Sequence, residues 1–177
     1  IGGNFRFVNG VNAERFVAVN AGTGQPLPGY LIDFTEQTNA ASEGGVRAMA
    51  LNSAGTRLAV VGNFYKVEGQ ERPLVAMLDV TDAASGSVTS WSTDHYTQPC
   101  TGGRVGWMRD VAFSIDGSRL YTVSSGHFYY PACDSVNSFD ATANGPVDAL
   151  WTARPGDTIE TVAVTSDAVY IGGHFRF

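Results

Sequence analysis

Histidine and asparagine exchange at one position of a motif that recurs along the chain, and both side chains can bind ligands. Asn4 and Asn63 hold this position in two copies, and His127 and His174 hold it in two others. A ring of such side chains could face a ligand or a metal ion. The exchange also suits a structural role, because an amide and an imidazole can both hydrogen-bond a neighbouring loop. The position-for-position exchange favours the loop contact.

Aromatic side chains cluster directly after the third copy of the motif, in a segment that includes two adjacent tyrosines. Trp107 stands in a second segment, rich in glycine, where an exposed position and a core position are both open. Exposed aromatic side chains are enriched where proteins bind partners. The candidate ligand-binding residues are therefore Phe128, Tyr129, Tyr130, His127, His174 and Trp107.

Motifs of several common enzyme classes are absent from the sequence. It contains no Gly-x-Ser-x-Gly, no His-Glu-x-x-His and no phosphate-binding loop, so we lean against an enzyme and assign no catalytic residue. The aspartates around Asp79 and Asp134 lack the spacing of a calcium-binding loop, and aspartates at strand ends commonly cap turns. We expect no cofactor and no metal site, with calcium as the weaker alternative.

The composition limits the classes of partner. A net charge of −6 and the lack of any basic run argue against a nucleic-acid-binding surface. No segment approaches the roughly 18 consecutive apolar residues that cross a bilayer, so membrane insertion is not expected. A hydrophobic fraction of 44% is ample for a folded core.

The segments that carry these residues repeat along the chain. A glycine followed by asparagine or histidine and then phenylalanine recurs at Gly3, Gly62, Gly126 and Gly173. Between copies the same order of short segments returns: two segments joined by a tight turn, a third apolar segment, and a short fourth one. Repetition at intervals of tens of residues is typical of repeat architectures, and four antiparallel strands per unit are typical of a β-propeller blade.

The sequence therefore predicts an all-β fold, a β-propeller of four-stranded antiparallel blades with about three and a quarter blades present. A β-sandwich is the alternative, but it does not explain the repeated order. The tryptophans of the fourth segments, Trp91 and Trp151, are expected in the blade cores. The predicted parts of this propeller, 1–177, are a partial blade at 1–45, blades at 46–106 and 107–158, and the start of another at 159–177.

We expect the ring to be incomplete in this chain, because propellers usually have about four to eight blades. An open arc leaves strand edges unpaired, which favours aggregation. The remaining blades would come from a longer chain or from other copies of this one. The longer chain is the preferred interpretation.

The repeats resemble the delta-60 repeat group of bacterial β-propellers. The matching segments are Ile1–Gly10 with Arg15, Val61–Gly69 with Arg72, and 155–177, the last resembling a variant from secreted actinobacterial proteins in which histidine replaces asparagine. The third copy departs from the pattern after Gly126. The resemblance implies a secreted, extracellular module built from repeats and implies little about activity.

The two cysteines, Cys100 and Cys133, fall in two loops of one predicted blade. Cys100 precedes the first strand of that blade and Cys133 follows its second strand, so both loops open on the same face. We predict a disulfide between them, which indicates an oxidising compartment. Two buried free thiols are the alternative.

These observations favour a non-enzymatic, extracellular binding or interaction scaffold whose loops on one face bind a glycan or a protein. The first alternative is a structural or assembly module whose open blade edges pair with further chain or with other copies. The second alternative is a catalytic propeller, either glycan-active or metal-dependent.

Overall fold

The computed structural model describes residues 1–38, 43–98, 100, 106–126 and 132–175, and the regular elements in them are all β-strands. The predicted all-β class is confirmed for this part of the chain. The strands are β1 (Phe7–Val8), β2 (Val11–Asn12), β3 (Val17–Val19), β4 (Pro26–Leu31), β5 (Phe34–Thr35), β6 (Gly45–Leu51), β7 (Arg57–Asn63), β8 (Lys66–Val67), β9 (Gln70–Glu71), β10 (Val75–Asp79), β11 (Ser87–Val88), β12 (Trp107–Phe113), β13 (Arg119–Ser125), β14 (Ser135–Asp140), β15 (Trp151–Ala153), β16 (Ile159–Val164) and β17 (Val169–Gly173).

Two four-stranded antiparallel sheets have the same strand order. The first sheet runs β6-β7-β10-β11 and the second sheet runs β12-β13-β14-β15. Two pairs of strands flank them, the N-terminal pair β3–β4 and the C-terminal hairpin β16–β17. Outside these layers, β1 pairs with β2, and β8 pairs with both β5 and β9. The sheets formed by the described residues do not close into a ring.

Alternating side chains bury the first sheet on both of its faces. Val60 of β7 packs toward the N-terminal pair, in a cluster with Phe16 and Phe34. The next residue, Val61, packs toward the second sheet, in a cluster with Phe139. Successive residues of a strand point to opposite faces, so one apolar run on β7 supplies two interfaces.

A third apolar cluster joins the second sheet to the C-terminal hairpin. Val123 and Val136 come from the second sheet, Ile159 and Val162 come from the hairpin, and all four are buried. The layers therefore lie in the order N-terminal pair, first sheet, second sheet, C-terminal hairpin.

The tight turns predicted between first and second strands are present. The Gly55 amide donates to the Asn52 oxygen at 3.0 Å, and the Gly117 amide donates to the Ser114 oxygen at 2.9 Å. Both glycines have positive φ, +70° and +73°. Only glycine adopts this left-handed conformation without steric cost, so these residues determine where the hairpins reverse.

The fourth strand of the first sheet ends before its tryptophan, and the tryptophan of the second sheet is more exposed than predicted. Trp91 lies beyond the short β11 and is fully buried, as expected. Trp151 begins β15 and is 42% exposed, so its expected core position is wrong. β15 is the outermost strand of the second sheet, and the Trp151 ring covers Tyr121 from one side only, with 5.9 Å between ring centroids.

Candidate functional site

A cavity of about 520 Å³ opens where the first strands of the two sheets begin and the second strand of the first sheet ends. Its volume lies within the usual range of ligand pockets, roughly 300 to 1,000 Å³. Backbone from five glycines forms much of the wall. The polar and aromatic side chains on the wall are Asn4, Glu43, Arg47, Asn63, Trp107 and Arg109.

The recurring glycine is required because two strands approach closely beside it. A Cβ on Gly62 would lie 2.1 Å from the Gly45 oxygen, and a Cβ on Gly173 would lie 2.2 Å from the Thr158 oxygen. Real Cβ atoms do not approach backbone this closely, so any other residue would push the first strand away. In these two copies the motif glycine therefore lets the first and second strands lie close together at this end of the sheet.

A β-bulge at the start of each first strand turns one side chain out of the ladder. The pairing of β6 with β7 skips Arg47, the pairing of β12 with β13 skips Arg109, and the pairing of β16 with β17 skips Glu160. The extra residue of a bulge leaves the alternation of the strand. The two arginines consequently reach the cavity wall.

The two arginines of the cavity have different surroundings. Arg109 donates from Nε to the Ser125 hydroxyl at 3.0 Å, and its Nη1 lies 3.6 Å from the Glu160 carboxylate. Its guanidinium carbon also lies 5.8 Å from the centre of the Trp107 ring, within the range of a cation–π contact. Arg47 is exposed and makes no side-chain hydrogen bond or ion pair with any described residue.

Of the two predicted ligand-binding residues within the described ranges, Trp107 lies on the wall of this cavity, where it is half-buried. Its role in binding stays a prediction. His174 lies outside the cavity wall, at the far edge of the C-terminal hairpin. His127, Phe128, Tyr129 and Tyr130 lie outside the described residues.

The asparagine and histidine of the motif contact the loop that precedes the first strand. Asn63 donates from Nδ2 to the Glu43 oxygen at 3.1 Å and accepts from the Thr38 hydroxyl at 3.0 Å. His174 Nδ1 lies 3.2 Å from the Asp157 carboxylate. Asn4 lines the cavity and makes no side-chain hydrogen bond within the described part of the chain. Its amide is therefore available to a ligand.

Two arginines that sequence reasoning did not select perform the same task in two copies. Arg15 donates from Nη1 to the Phe34 oxygen at 2.7 Å, and Arg72 donates from Nη2 to the Thr89 oxygen at 2.8 Å. Each arginine precedes the third strand of its copy, and each acceptor follows the fourth strand. Their recurrence beside the motif was the available signal.

In the third copy the same region contains a disulfide. Cys100 and Cys133 are joined, with 5.9 Å between their Cα atoms, and both are buried. This agrees with the pairing predicted from the sequence. The bond closes a separation of 33 residues, which in the chain-entropy treatment contributes about 4 kcal/mol. A Cβ on Gly126 would lie 2.7 Å from Cys100 Sγ, so the bridge packs directly on the motif glycine.

Two of the aspartates considered for calcium, Asp79 and Asp140, cap turns instead. The Thr81 amide donates to Asp79 at 2.9 Å, and this hydrogen bond lowers the pKa of the Asp79 carboxyl. The Thr142 hydroxyl and amide do the same for Asp140. The described residues contain no group of three or more histidines, cysteines or carboxylates arranged to hold a metal ion.

A buried polar network lies inside the second sheet, away from the cavity. His95 Nε2 lies 2.9 Å from Asn137 Oδ1, and Asn137 Nδ2 donates to the Tyr96 hydroxyl at 3.0 Å. The Tyr96 hydroxyl lies 2.5 Å from the Thr122 hydroxyl. Burial lowers the pKa of His95 and raises the pKa of Tyr96. These hydrogen bonds satisfy the buried hydroxyl and amide groups, so the network supports the packing of the layer.

Comparison of the chain with protein-family models and with curated proteins finds no match. Across the described ranges, no helix is long and apolar enough to cross a membrane.

Proposed function

We propose that the chain forms successive blades of a β-propeller of the delta-60 type. The proposal is supported by two sheets of identical strand order and by the face-to-face stacking of the layers. It is also supported by features that recur at equivalent places, namely the bulged residue, the close-packed glycine and the arginine before the third strand. Each of these features is local, but only a repeated unit explains their common order.

We further propose that this scaffold is extracellular and binds a glycan at the cavity described above. The observation that carries the proposal is the combination of an aromatic ring, Trp107, with the unengaged amide of Asn4 and the unengaged guanidinium of Arg47 on one cavity wall. The disulfide supports an oxidising compartment.

This combination fits the chemistry of a sugar ring. The C–H face of a sugar is apolar and packs on an aromatic ring, and its hydroxyl groups need donors and acceptors in fixed directions. The Asn4 amide offers both, and Arg47 offers donors alone. Arg109 lies against the Trp107 indole, so the contact limits the movement of the ring before a ligand arrives.

A glycan array followed by calorimetry on the ligands it identifies tests this function. Trp107→Ala should weaken binding at least ten-fold, which corresponds to about 1.4 kcal/mol. Trp151→Ala is the matched control, because Trp151 is an exposed tryptophan remote from the cavity, and it should bind within about two-fold of the wild type. An array without any bound glycan, or equal losses for the two variants, would refute the proposal.

A further inference from the structure

The first strand of the first sheet exposes apolar side chains that its counterparts bury. Counted from the bulged residue, Met49 and Leu51 of β6 correspond to Val111 and Phe113 of β12. Val111 and Phe113 are 5% and 8% exposed because they pack against the first sheet, whereas Met49 and Leu51 are 38% and 55% exposed. The same side of β6 therefore has an uncovered apolar face.

The C-terminal hairpin has an uncovered face of the complementary kind. In the second sheet Ala112 and Tyr121 are paired across β12 and β13, and they pack against the hairpin. The equivalent pair on the hairpin is Ala163 and Tyr170, and Tyr170 is 57% exposed. In the second sheet, the face formed by Ala112 and Tyr121 covers Val162 of the hairpin. The face formed by Ala163 and Tyr170 could cover equivalent residues of another layer.

The strand edges of the two ends match as well. Residues 1–3 pair with β3: Ile1 N donates to the Val17 oxygen at 2.7 Å, and Val17 N donates back at 3.0 Å. The sequence of residues 1–3 recurs at 171–173, on β17, and among the described strands β17 pairs with β16 alone. Main-chain hydrogen bonds do not depend on side chains, so β17 can make the same bonds to β3.

One side chain restricts which copy of the motif fits this position. A Cβ on Gly2 would lie 2.4 Å from Val46 Cγ1, so the residue against Val46 must be glycine. The two internal copies have Val61 and Ser125 at the equivalent place, and the C-terminal hairpin has Gly172. Of these strands, only the C-terminal one can replace residues 1–3 without a clash.

We propose that the C-terminal hairpin of a second copy of this chain docks on β6 and β3 in a head-to-tail arrangement, which goes beyond the proposed glycan binding and shares with it the part of the cavity wall around Asn4. Its strand β17 takes the place of residues 1–3 beside β3, and its Ala163 and Tyr170 cover Met49 and Leu51. The arrangement repeats the interface between the second sheet and the hairpin within one chain. It also puts His174 of the second copy at the place of Asn4.

Sedimentation velocity without ligand, at protein concentrations from about 1 to 300 µM, tests this proposal. A head-to-tail interface leaves complementary faces free, so the wild type should form a concentration-dependent series of oligomers or a closed ring. Leu51→Lys and Tyr170→Lys each place a charge in the interface and should raise the concentration for half-association at least ten-fold. Ile115→Lys, at an exposed apolar residue outside both faces, should associate like the wild type.

A mixture of the two interface variants identifies the arrangement. Leu51→Lys retains an intact hairpin and Tyr170→Lys retains an intact β6 face, so an equimolar mixture should form a dimer that neither variant forms alone. A dimer built from two identical faces would not be restored by mixing. The proposal is wrong if the wild type stays monomeric at all concentrations, if the variants associate like the wild type, or if the mixture stays monomeric. Thermal melting by circular dichroism verifies that each variant is folded.

Discussion

The indole Nε1 of Trp91 donates a hydrogen bond to the main-chain oxygen of Asp140, 2.8 Å away, and so connects the chain after the first sheet to the last residue of β14 in the second sheet. The Trp91 ring also meets Phe139 edge to face, with 5.9 Å between centroids. A single side chain thus adds both a directional hydrogen bond and an aromatic contact to the apolar cluster between the two sheets.

We expect Trp91→Phe to lower the free energy of unfolding by about 2 kcal/mol, because the Asp140 oxygen loses its donor in a buried place. Trp151→Phe should change it by no more than about 0.5 kcal/mol, because Trp151 is exposed. Urea denaturation followed by circular dichroism measures both values. Equal effects of the two substitutions would contradict the assigned role of Trp91.

Arg72, directly after β9, should be important for stability although arginine is usually an exposed residue. The side chain is buried and donates to the main-chain oxygens of Glu71 and Thr89 at 2.7 and 2.8 Å. Arg72→Ala leaves both acceptors without this donor and should cost about 2–3 kcal/mol of unfolding free energy.

Arg72→Lys should recover part of this loss, because an ammonium group can reach one of the two oxygens but lacks the planar fork. Arg6→Ala, at an exposed arginine, is the control and should stay within about 0.5 kcal/mol of the wild type. If Arg72→Ala is as stable as Arg6→Ala in the same urea titration, the contact contributes nothing.

Stability should fall as the pH falls below neutrality, because of His95. Burial lowers the pKa of this imidazole below the ordinary value of 6.5 that it regains on unfolding. The unfolded chain then binds more protons than the folded chain, so the contribution is complete above pH 6.5 and is lost progressively below it. His95→Gln, which keeps a donor for Asn137, should flatten the decrease between pH 7.5 and about 5.

The aspartates whose pKa is lowered act in a different pH window from His95. Hydrogen bonds from Ser114 and Ser118 lower the pKa of Asp116 from 3.8 to about 2. Its contribution to stability is present above pH 3.8 and is lost as the pH falls toward 2. The difference in melting temperature between the wild type and His95→Gln should therefore grow as the pH falls from 7.5 to about 5. Parallel curves for the two proteins would show that His95 has no part in the decrease.

The central strands of the fold could be predicted from the sequence because local signals coincide there. Apolar alternation, a turn with glycine and a recurring motif all point to β6–β7 and β12–β13. The fourth strands carry no such signal, since β11 has two residues and its pairing depends on β10. Trp151 was misjudged for the same reason: the outermost strand of a sheet buries one face only partly.

The cavity was harder to predict than the strands. The motif glycines and Trp107 stood out as residue types, but Arg47 and Arg109 did not, because a bulge breaks the period of two and has no residue signature of its own. The hydrogen bond of Arg72 could not be predicted either, because its acceptor, the Thr89 oxygen, is 17 residues away in the sequence and comes close only in the folded chain.

The recurring bulge separates the surface chemistry of each repeat from its packing. Arg47, Arg109 and Glu160 occupy the same place in three layers and differ in charge, while Val111 and Val162, two positions after Arg109 and Glu160, pack against the preceding layer. A substitution at the bulged position changes the charge at this end of the stack without changing an apolar residue of the core clusters. Each of these three layers thus has one position at which the charge of the surface can be changed while the apolar core sequence is kept. Substitutions at these positions could be made one layer at a time.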